Sequence, residues 1–450
     1  MTYNLVADAL RAAMARQDEE AICRLLSELR PADLAEFLRQ EQPREALQLF
    51  QQLHTAQRAE VFGYLPAEAQ LQLAEVMDDH ALSQLLTRMD ADERADLFKL
   101  FDAERQERIL RGLAHHERED LRRLSSYAEG TAGSVMTSDY VVVPADMSAR
   151  DALEHIRLTA PDAETIYQIY VLDAQQRIIG TLSLRELILG RPQAPISELM
   201  TRDVVSLQVH ATQEEAARLI SRYDLMTLPI IDEAQRMIGI ITYDDALDVV
   251  EEEATEDIHK GATIGKLEGG LRGASLFTLY RKRIGWLVLL VFANIFSGAG
   301  IAYFEDTISA YIALVFFLPL LIDSGGNAGS QAATLMVRGL ATGDVRFRDW
   351  GRLLGRELGV ASALGLTMAL AVSGLGFIRG GEQIALVVAL SMVLVVMIGS
   401  LIGMCLPFLL QRLKLDPATA SAPLVTSIAD ASGVLIYFGI ATAILGLPDV

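Results

Sequence analysis

From Leu29 onward, hydrophobic positions return about every twelve residues. Leu29, Leu53, Leu65, Met77, Met89 and Phe101 each open a unit, and eight positions later stand Phe37, Val61, Leu73, Leu85, Leu97 and Ile109. The unit beginning at Glu41 lacks the opening hydrophobe but keeps Leu49 and Phe50. Leu65-Pro66-Ala67-Glu68 and Met89-Asp90-Ala91-Asp92-Glu93 read as a turn entering a helix, because proline suits a first turn and early acids suit the positive end of the helix dipole. Helices of about eight to ten residues are unstable alone, so the units are expected to stack as a small all-α superhelix.

A second repeat follows with strand-like alternation. Val135-Met136-Thr137, Tyr140–Pro144, a helical stretch from Ala149, Ile169–Leu172 and Ile178–Glu186 are matched by Leu199-Met200-Thr201, Val204–Leu207, a helix near Glu214–Ser221, Leu228–Ile231 and Met237–Asp245. Short strands alternating with helices in both halves predict two similar α+β subdomains packed together.

Beyond Arg281-Lys282-Arg283 the pattern becomes long and apolar. Five spans are expected, at about 285–304, 308–340, 353–378, 383–411 and 419–446, several longer than the roughly 20 residues that cross a bilayer, so tilt or a broken helix is expected. Basic residues favour the cytoplasmic side. Arg338, Arg346, Arg348, Arg352 and Arg356 around one loop, with Arg412 and Lys414 around another, put the long N-terminal region inside and the C-terminus outside. Residues 285–450 carry a net charge of −2, so −18 of the whole-chain −20 falls on residues 1–284. That acidity repels nucleic-acid phosphates and favours cations or solvent as company. Cys23 and Cys405 stand far apart without metal-ligand spacing and suit a disulfide-free chain in a reducing compartment. The opening residues have neither a basic start nor a long apolar run, so no secretory signal is expected.

Candidate chemistry lies in four places. Pro319–Gln331 is a polar, glycine-rich run inside an apolar stretch and reads as part of a transport route or a packed helix seam. Asp430 puts an acid inside the last span, after Pro423, and an unpaired carboxylate in hydrocarbon is costly, so a cation path is the sharp explanation and a structural hydrogen bond the bland one. Helical spacing places Glu253 and Asp257 on one face with Glu256 close by, which suits either a cation or a solvated linker. Glu60, Asp92 and Asp96 form either a solvated face or an ion-binding surface.

The paired middle region resembles tandem cystathionine-beta-synthase (CBS) modules, whose work is regulatory and often involves an adenine nucleotide. By that resemblance Ser183 with Glu186, and Thr242 with Asp245, lie beside ribose and phosphate; the physical alternative is a helix cap with an early carboxylate.

The order of parts from end to end is similar to that of MgtE-type magnesium channels and transporters. It comprises the acidic helical region, the paired modules, Glu253-Ala-Thr-Glu-Asp-Ile-His259, Pro319–Gln331 and Pro423-Leu-Val…Asp430…Gly433. The resemblance implies a multidomain chain and not an enzyme: a helical N-domain over 1–130, CBS modules over 131–190 and 191–250, a connecting helix over 251–284 and a five-span pore domain over 285–450. It implies a homodimer in the lipid bilayer of the bacterial cytoplasmic (inner) membrane, with magnesium as cargo and regulator and ATP as a regulatory ligand. Asp430 from each subunit would form the pore site, with Asn327 near the path. The gating acids would be Glu60, Asp92, Asp96, Glu214, Asp245, Glu253, Glu256 and Asp257. Thr212 and Ala422 depart from the family pattern, the first where a related protein has an acid and the second where it has an asparagine.

Overall fold

The computed structural model describes residues 3–160, 163–265 and 274–446. Part of the expected connecting helix, residues 266–273, lies outside the described residues. The chain divides into two compact units, Met1–Glu253 and Ala254–Val450.

In the first unit, Tyr3–Arg16 and Glu19–Glu28 precede eight helices that begin at residues 31, 43, 55, 67, 79, 91, 103 and 115, a strict twelve-residue step. The step has a simple cause. The unit-opening residues Leu29, Leu53, Leu65, Met77, Met89 and Phe101 stand two positions before a helix start, and all but the half-buried Met77 are buried; their partners eight residues later are buried on the helix that each unit contains. Each buried aliphatic or aromatic side chain contributes about 1.5–3 kcal/mol relative to exposure, which supplies what these short helices lack in isolation. Pro31 and Pro43 occupy first turns, while the Asp18, Asp78 and Asp102 side chains cap theirs. Helices pack on the second one along, so alternate members form two rows, as the superhelix expectation requires.

The paired region forms two three-stranded sheets of the same design. Val141–Val142 (β1) runs parallel to Gln168–Leu172 (β2), which is antiparallel to Ile178–Ser183 (β3); Leu207–Gln208 (β4), Thr227–Ile231 (β5) and Met237–Thr242 (β6) repeat this. The duplication extends to a bulge in each central strand, after Val171 and after Ile230. The repeat gave no sign of how the halves exchange segments. Thr137, which opens the first half, bridges Ile240 in the second sheet, and Thr201, which opens the second half, bridges Thr181 in the first. Each half thus lends its leading segment to the other, and the buried Tyr170 and Thr227 hydroxyls meet at 2.7 Å between the two central strands. After β6 the helix Tyr243–Gly261 runs on without interruption.

Among the described residues of the second unit, four helices are long and apolar enough to cross a membrane: Leu276–Tyr303, Ala313–Ala341, a stretch ending at Arg412, and Ala422–Leu445. The helices thus number four where five separate spans were expected. The expected spans 353–378 and 383–411 both fall within one helical run, Trp350–Arg412, in which Gly381 alone leaves helical geometry (φ 75°, ψ −172°). A straight helix of that length would extend about 95 Å, some three times the hydrocarbon thickness. The run is instead folded back on itself. Ser400 donates to Glu357, Ser362 Oγ reaches Met397 Sδ at 3.7 Å, and a Cβ on Gly376 would lie 2.9 Å from Ala385 Cα. These pairs step symmetrically about residue 380, so the run is a helical hairpin turned by a positive-φ glycine.

Pro319–Gln331 is not a broken helix, as the long spans had suggested, but part of continuous Ala313–Ala341. Its glycines face another helix. A Cβ on Gly399 would fall 2.2 Å from the carbonyl oxygen of Gly325, and one on Gly403 1.9 Å from that of Gly329. No side chain fits there, so the two helices touch backbone to backbone. Pro423 breaks no helix hydrogen bond, because it sits in the first turn of Ala422–Leu445, where its missing N–H has no partner to lose.

Candidate functional site

Two groups of acids stand out, one in each unit. In the first unit, Asp92 and Glu93 lie in the first turn of Ala91–Lys99, Asp245 in the first turn of Tyr243–Gly261, and Glu164 in the loop before β2. Asp92 is buried with Oδ1 unpartnered, and Glu164 Oε2 is likewise buried without a hydrogen bond. Burial and the nearby charges of Asp245, Glu164 and Glu93 hold the Asp92 carboxyl well above the usual carboxylate range. Glu164 is pushed up to about 8 by burial and by Asp245, Asp90 and Asp244, against a bond from Thr137. Glu93 rises to about 7 through burial, Asp90, Asp245 and Asp96. Asp245 rises to about 6, again chiefly by burial, although Thr242 donates to it. Four carboxyls crowded at a partly dry contact favour protons or a bridging cation over mutual repulsion.

The expected gating acids are thus only partly assembled. Asp92 and Asp245 come together, joined by Glu93 and Glu164, which sequence reasoning missed. Asp96 is exposed and pairs with Lys99 at 2.9 Å. Glu60 is exposed on Thr55–Gly63, and Glu214 is exposed in the first turn of Gln213–Tyr223. Glu253 accepts a bond from Gln213 at 2.7 Å, Glu256 pairs with Lys260 at 2.6 Å, and Asp257 is half-buried. Among the described residues, no three His, Cys, Asp or Glu side chains are arranged to hold a metal ion.

The four residues expected beside a nucleotide form helix caps. Glu186 Oε2 accepts from the Ser183 N–H at 2.7 Å and from its Oγ at 2.9 Å, while the Glu186 N–H donates to Ser183 Oγ at 3.1 Å. Asp245 accepts from the Thr242 N–H at 3.4 Å and from its hydroxyl. Thr212, one of the two departures from the family pattern, also caps, accepting from the Glu215 N–H at 3.2 Å.

In the second unit, Ala313–Ala341 and Ala422–Leu445 pack antiparallel. Their register follows from Tyr437 donating to the Leu314 carbonyl at 2.9 Å, Ser330 meeting Thr426 at 3.3 Å, and Gly433 facing Ile322. Asp323 and Asp430 therefore stand at one level, close enough to interact electrostatically. Asn327 donates to Asp323 Oδ2 at 3.1 Å. Asp430 is half-buried, and its Oδ1 is enclosed without a hydrogen-bond partner. Hydroxyls of Ser330 and Thr426, the Asn327 amide and two carboxylates thus gather along one side of an otherwise apolar bundle, an oxygen-rich set suited to a hard cation or its water shell.

Comparison with known proteins places these features in register. The profile of the divalent cation transporter family MgtE matches residues 318–440, that of the MgtE intracellular N domain residues 29–130, and that of the CBS domain residues 132–190 and 196–252. The chain is 42% identical over 328 residues to the magnesium transporter MgtE of Thermus thermophilus, and 37% identical over 330 residues to that of Bacillus subtilis, covering 73% of each chain in both cases. A solved cytosolic domain of the Mg2+ channel MgtE in complex with ATP is 36% identical. It matches with a TM-score of 0.52 over 54% of this chain and 99% of that one.

Proposed function

The chain belongs to the MgtE family of magnesium transporters, and we propose that it admits Mg2+ through a membrane path at Asp430, closed from the cytoplasmic side when internal magnesium is high. Membership makes it a transporter and not an enzyme. The observation that carries the pore assignment is the enclosed, unpartnered oxygen of Asp430 level with Asp323. A lone carboxylate in that position is expensive in lipid and economical beside a cation.

Magnesium sheds its water reluctantly and prefers octahedral oxygen coordination. Paired Asp430 carboxylates from two subunits of a homodimer would hold a largely hydrated ion through its waters, with selectivity set by their spacing. The two arms of Trp350–Arg412 each cross the bilayer in this reading, giving five crossings. Arginines at the 338–356 and 412–414 turns then keep the acidic region in the cytoplasm of a bacterial inner-membrane protein, with the C-terminus outside.

Scarce internal magnesium leaves the acids of the N-domain, CBS modules and connecting helix repelling one another; bound ions would bridge them and favour closure. The sites proposed for this are Glu60, Asp92, Asp96, Glu214, Asp245, Glu253, Glu256 and Asp257, and the raised carboxyls of Asp92 and Asp245 support the idea that part of this set is strained without a cation. A tenfold preference of bound magnesium for the closed form is worth about 1.4 kcal/mol per coupled site, so several sites give a steep switch. ATP at the Ser183–Glu186 and Thr242–Asp245 ends of the CBS modules would tune it, a role that the ATP-bound relative supports.

Purified protein in liposomes tests the reading. Magnesium flux is expected in the parent, with cobalt and manganese as competitors, and Asp430→Ala is expected to lower it at least about tenfold while the dimer stays folded. Equal flux per correctly inserted dimer would remove Asp430 from the path, and an absence of flux in the parent would leave a sensor in place of a transporter.

A further inference from the structure

The two CBS modules repeat one hairpin. Asp173-Ala174-Gln175-Gln176-Arg177 joins β2 to β3, and Asp232-Glu233-Ala234-Gln235-Arg236 joins β5 to β6. In both, the acid turns the chain by accepting at Oδ1 from the arginine N–H, at 2.9 and 2.8 Å, with Gln176 and Gln235 at φ 63°. The arginine side chains then diverge. Arg236 closes back on Asp232, Nη2 to Oδ2 at 2.7 Å, whereas among the described residues Arg177 has no carboxylate partner. Arg177 instead lines a cavity of about 220 Å³ between the modules, together with Arg202, Val204, Ser206, Ile231 and Gln235.

The other side of the pseudo-twofold shows why this hollow exists. Counted from the equivalent bridging residues Thr137 and Thr201, the positions of Arg202, Val204 and Ser206 are held in the first module by Ser138, Tyr140 and Val142. Tyr140 fills its side: the ring packs with Leu172 and Met237, lies edge-on to Tyr170 at 6.3 Å, and donates its hydroxyl to the Met237 carbonyl at 3.3 Å. Val204 lacks that ring. Ser206 brings a hydroxyl where Val142 is apolar, and Arg202 brings a second cation, bonded only to the Ser197 carbonyl at 3.3 Å and, among the described residues, without a carboxylate partner. Three substitutions between the copies thus turn a packed seam into a polar, cationic recess.

We propose that this recess binds a small phosphate-bearing anion, free phosphate or a phosphate monoester, held by Arg177 of one module and Arg202 of the other. Guanidinium groups match phosphate oxygens in planar, paired geometry, and the Ser206 hydroxyl and Gln235 amide supply further donors. Drug-sized ligands occupy roughly 300–1,000 Å³, so this volume fits a smaller one. Residues 1–284 carry a net −18, which repels anions at large and leaves this pair of unneutralised arginines as a local exception. The recess lies at the hairpin end of β3, and Ser183 stands at the other end, about 20 Å away at the rise of an extended strand. The site is therefore independent of the nucleotide reading given above.

Hydrogen exchange of the full chain, in magnesium-free buffer of constant ionic strength containing inorganic phosphate, glycerol phosphate or chloride, is the test. Phosphate or its ester is expected to slow exchange in residues 202–206 and in the hairpin 173–178, while chloride does not, and the more effective of the two identifies the source of the phosphate group. Arg177→Met and Arg202→Met should each weaken this effect at least about tenfold, as loss of a charge-assisted pair requires. Arg236→Met, on the hairpin whose arginine is already paired, should respond as the parent. Val204→Tyr supplies the ring that closes the other side and should abolish the response with both arginines in place. Absence of protection in the parent with either phosphate probe would overturn the site. So would protection that survives Arg177→Met or survives Val204→Tyr in the folded protein, since that is screening of surface charge, and so would protection confined to Leu184–Leu189.

Discussion

Glu164 is the residue whose environment departs furthest from what its place in a loop suggests. Its carboxyl is pushed up to about 8 by burial beside Asp245, Asp90 and Asp244, and Oε2 has no hydrogen-bond partner. Glu164→Gln keeps the shape and removes one of the crowded charges. At pH 8.5 it is expected to slow hydrogen exchange in Ala91–Lys99 about fivefold, roughly 1 kcal/mol of local stability, and to shrink the further protection that magnesium confers. Unchanged exchange in both comparisons would mean that the charge at Glu164 is already compensated. Asp430 could be picked out in the sequence because it interrupts a hydrophobic pattern, whereas Asp92 and Asp245 came forward as site residues through the family resemblance. Glu93 and Glu164 could not, since their significance comes from Thr137, Asp244 and Asp245 arriving from distant segments. The capping geometry of Ser183–Glu186 was legible too, because a hydroxyl followed three residues later by an acid has a local physical reading that needs no ligand.

At the scale of elements, the twelve-residue step was legible because the units bury the same two positions again and again, so spacing and packing are one fact. Helix continuity through Pro319–Gln331 was not. Glycine and proline lower helix propensity in a peptide, whereas here the absence of Cβ atoms lets Gly325 and Gly329 meet Gly399 and Gly403 across a backbone contact. The hairpin was half visible: both arms were expected, but Gly381 turns the chain so tightly that no loop separates them. The seam predicts an asymmetric response to one methyl group. Gly403→Ala puts a Cβ 1.9 Å from the Gly329 oxygen and is expected to cost at least about 2 kcal/mol. The fraction of folded, detergent-extracted protein should fall, with flux per folded chain lowered as the helices part. Gly351→Ala, which meets nothing within 4 Å, is the control and should extract as the parent does. Equal yields and flux for both would show that the helices separate without consequence.

Across the whole molecule, the excess of acid on residues 1–284 and the raised carboxyls within Met1–Glu253 have a joint consequence for pH. Glu164, Glu93 and Asp245 titrate at about 8, 7 and 6 in the folded chain, against 4.5, 4.5 and 3.8 ordinarily. Between those limits the folded state binds more protons than the unfolded one, so stability falls as pH rises. The contribution is fully present below about pH 4 and is lost progressively as pH passes about 6, 7 and 8. A divalent cation competes with protons for the same carboxyls. Magnesium should therefore restore protection of Ala91–Lys99 and of the segment before β2 at about pH 8.5, where the acids are ionised. It should do little at about pH 5, where protons already occupy them. Sodium at equal ionic strength only screens, and burial weakens screening, so it should recover much less. Hydrogen exchange of the full chain at the two pH values, with and without each salt, separates these cases. Protection that rises with pH in the absence of magnesium would reverse the sign and show that the cluster is ionised and internally paired, leaving no strain for a bound cation to relieve.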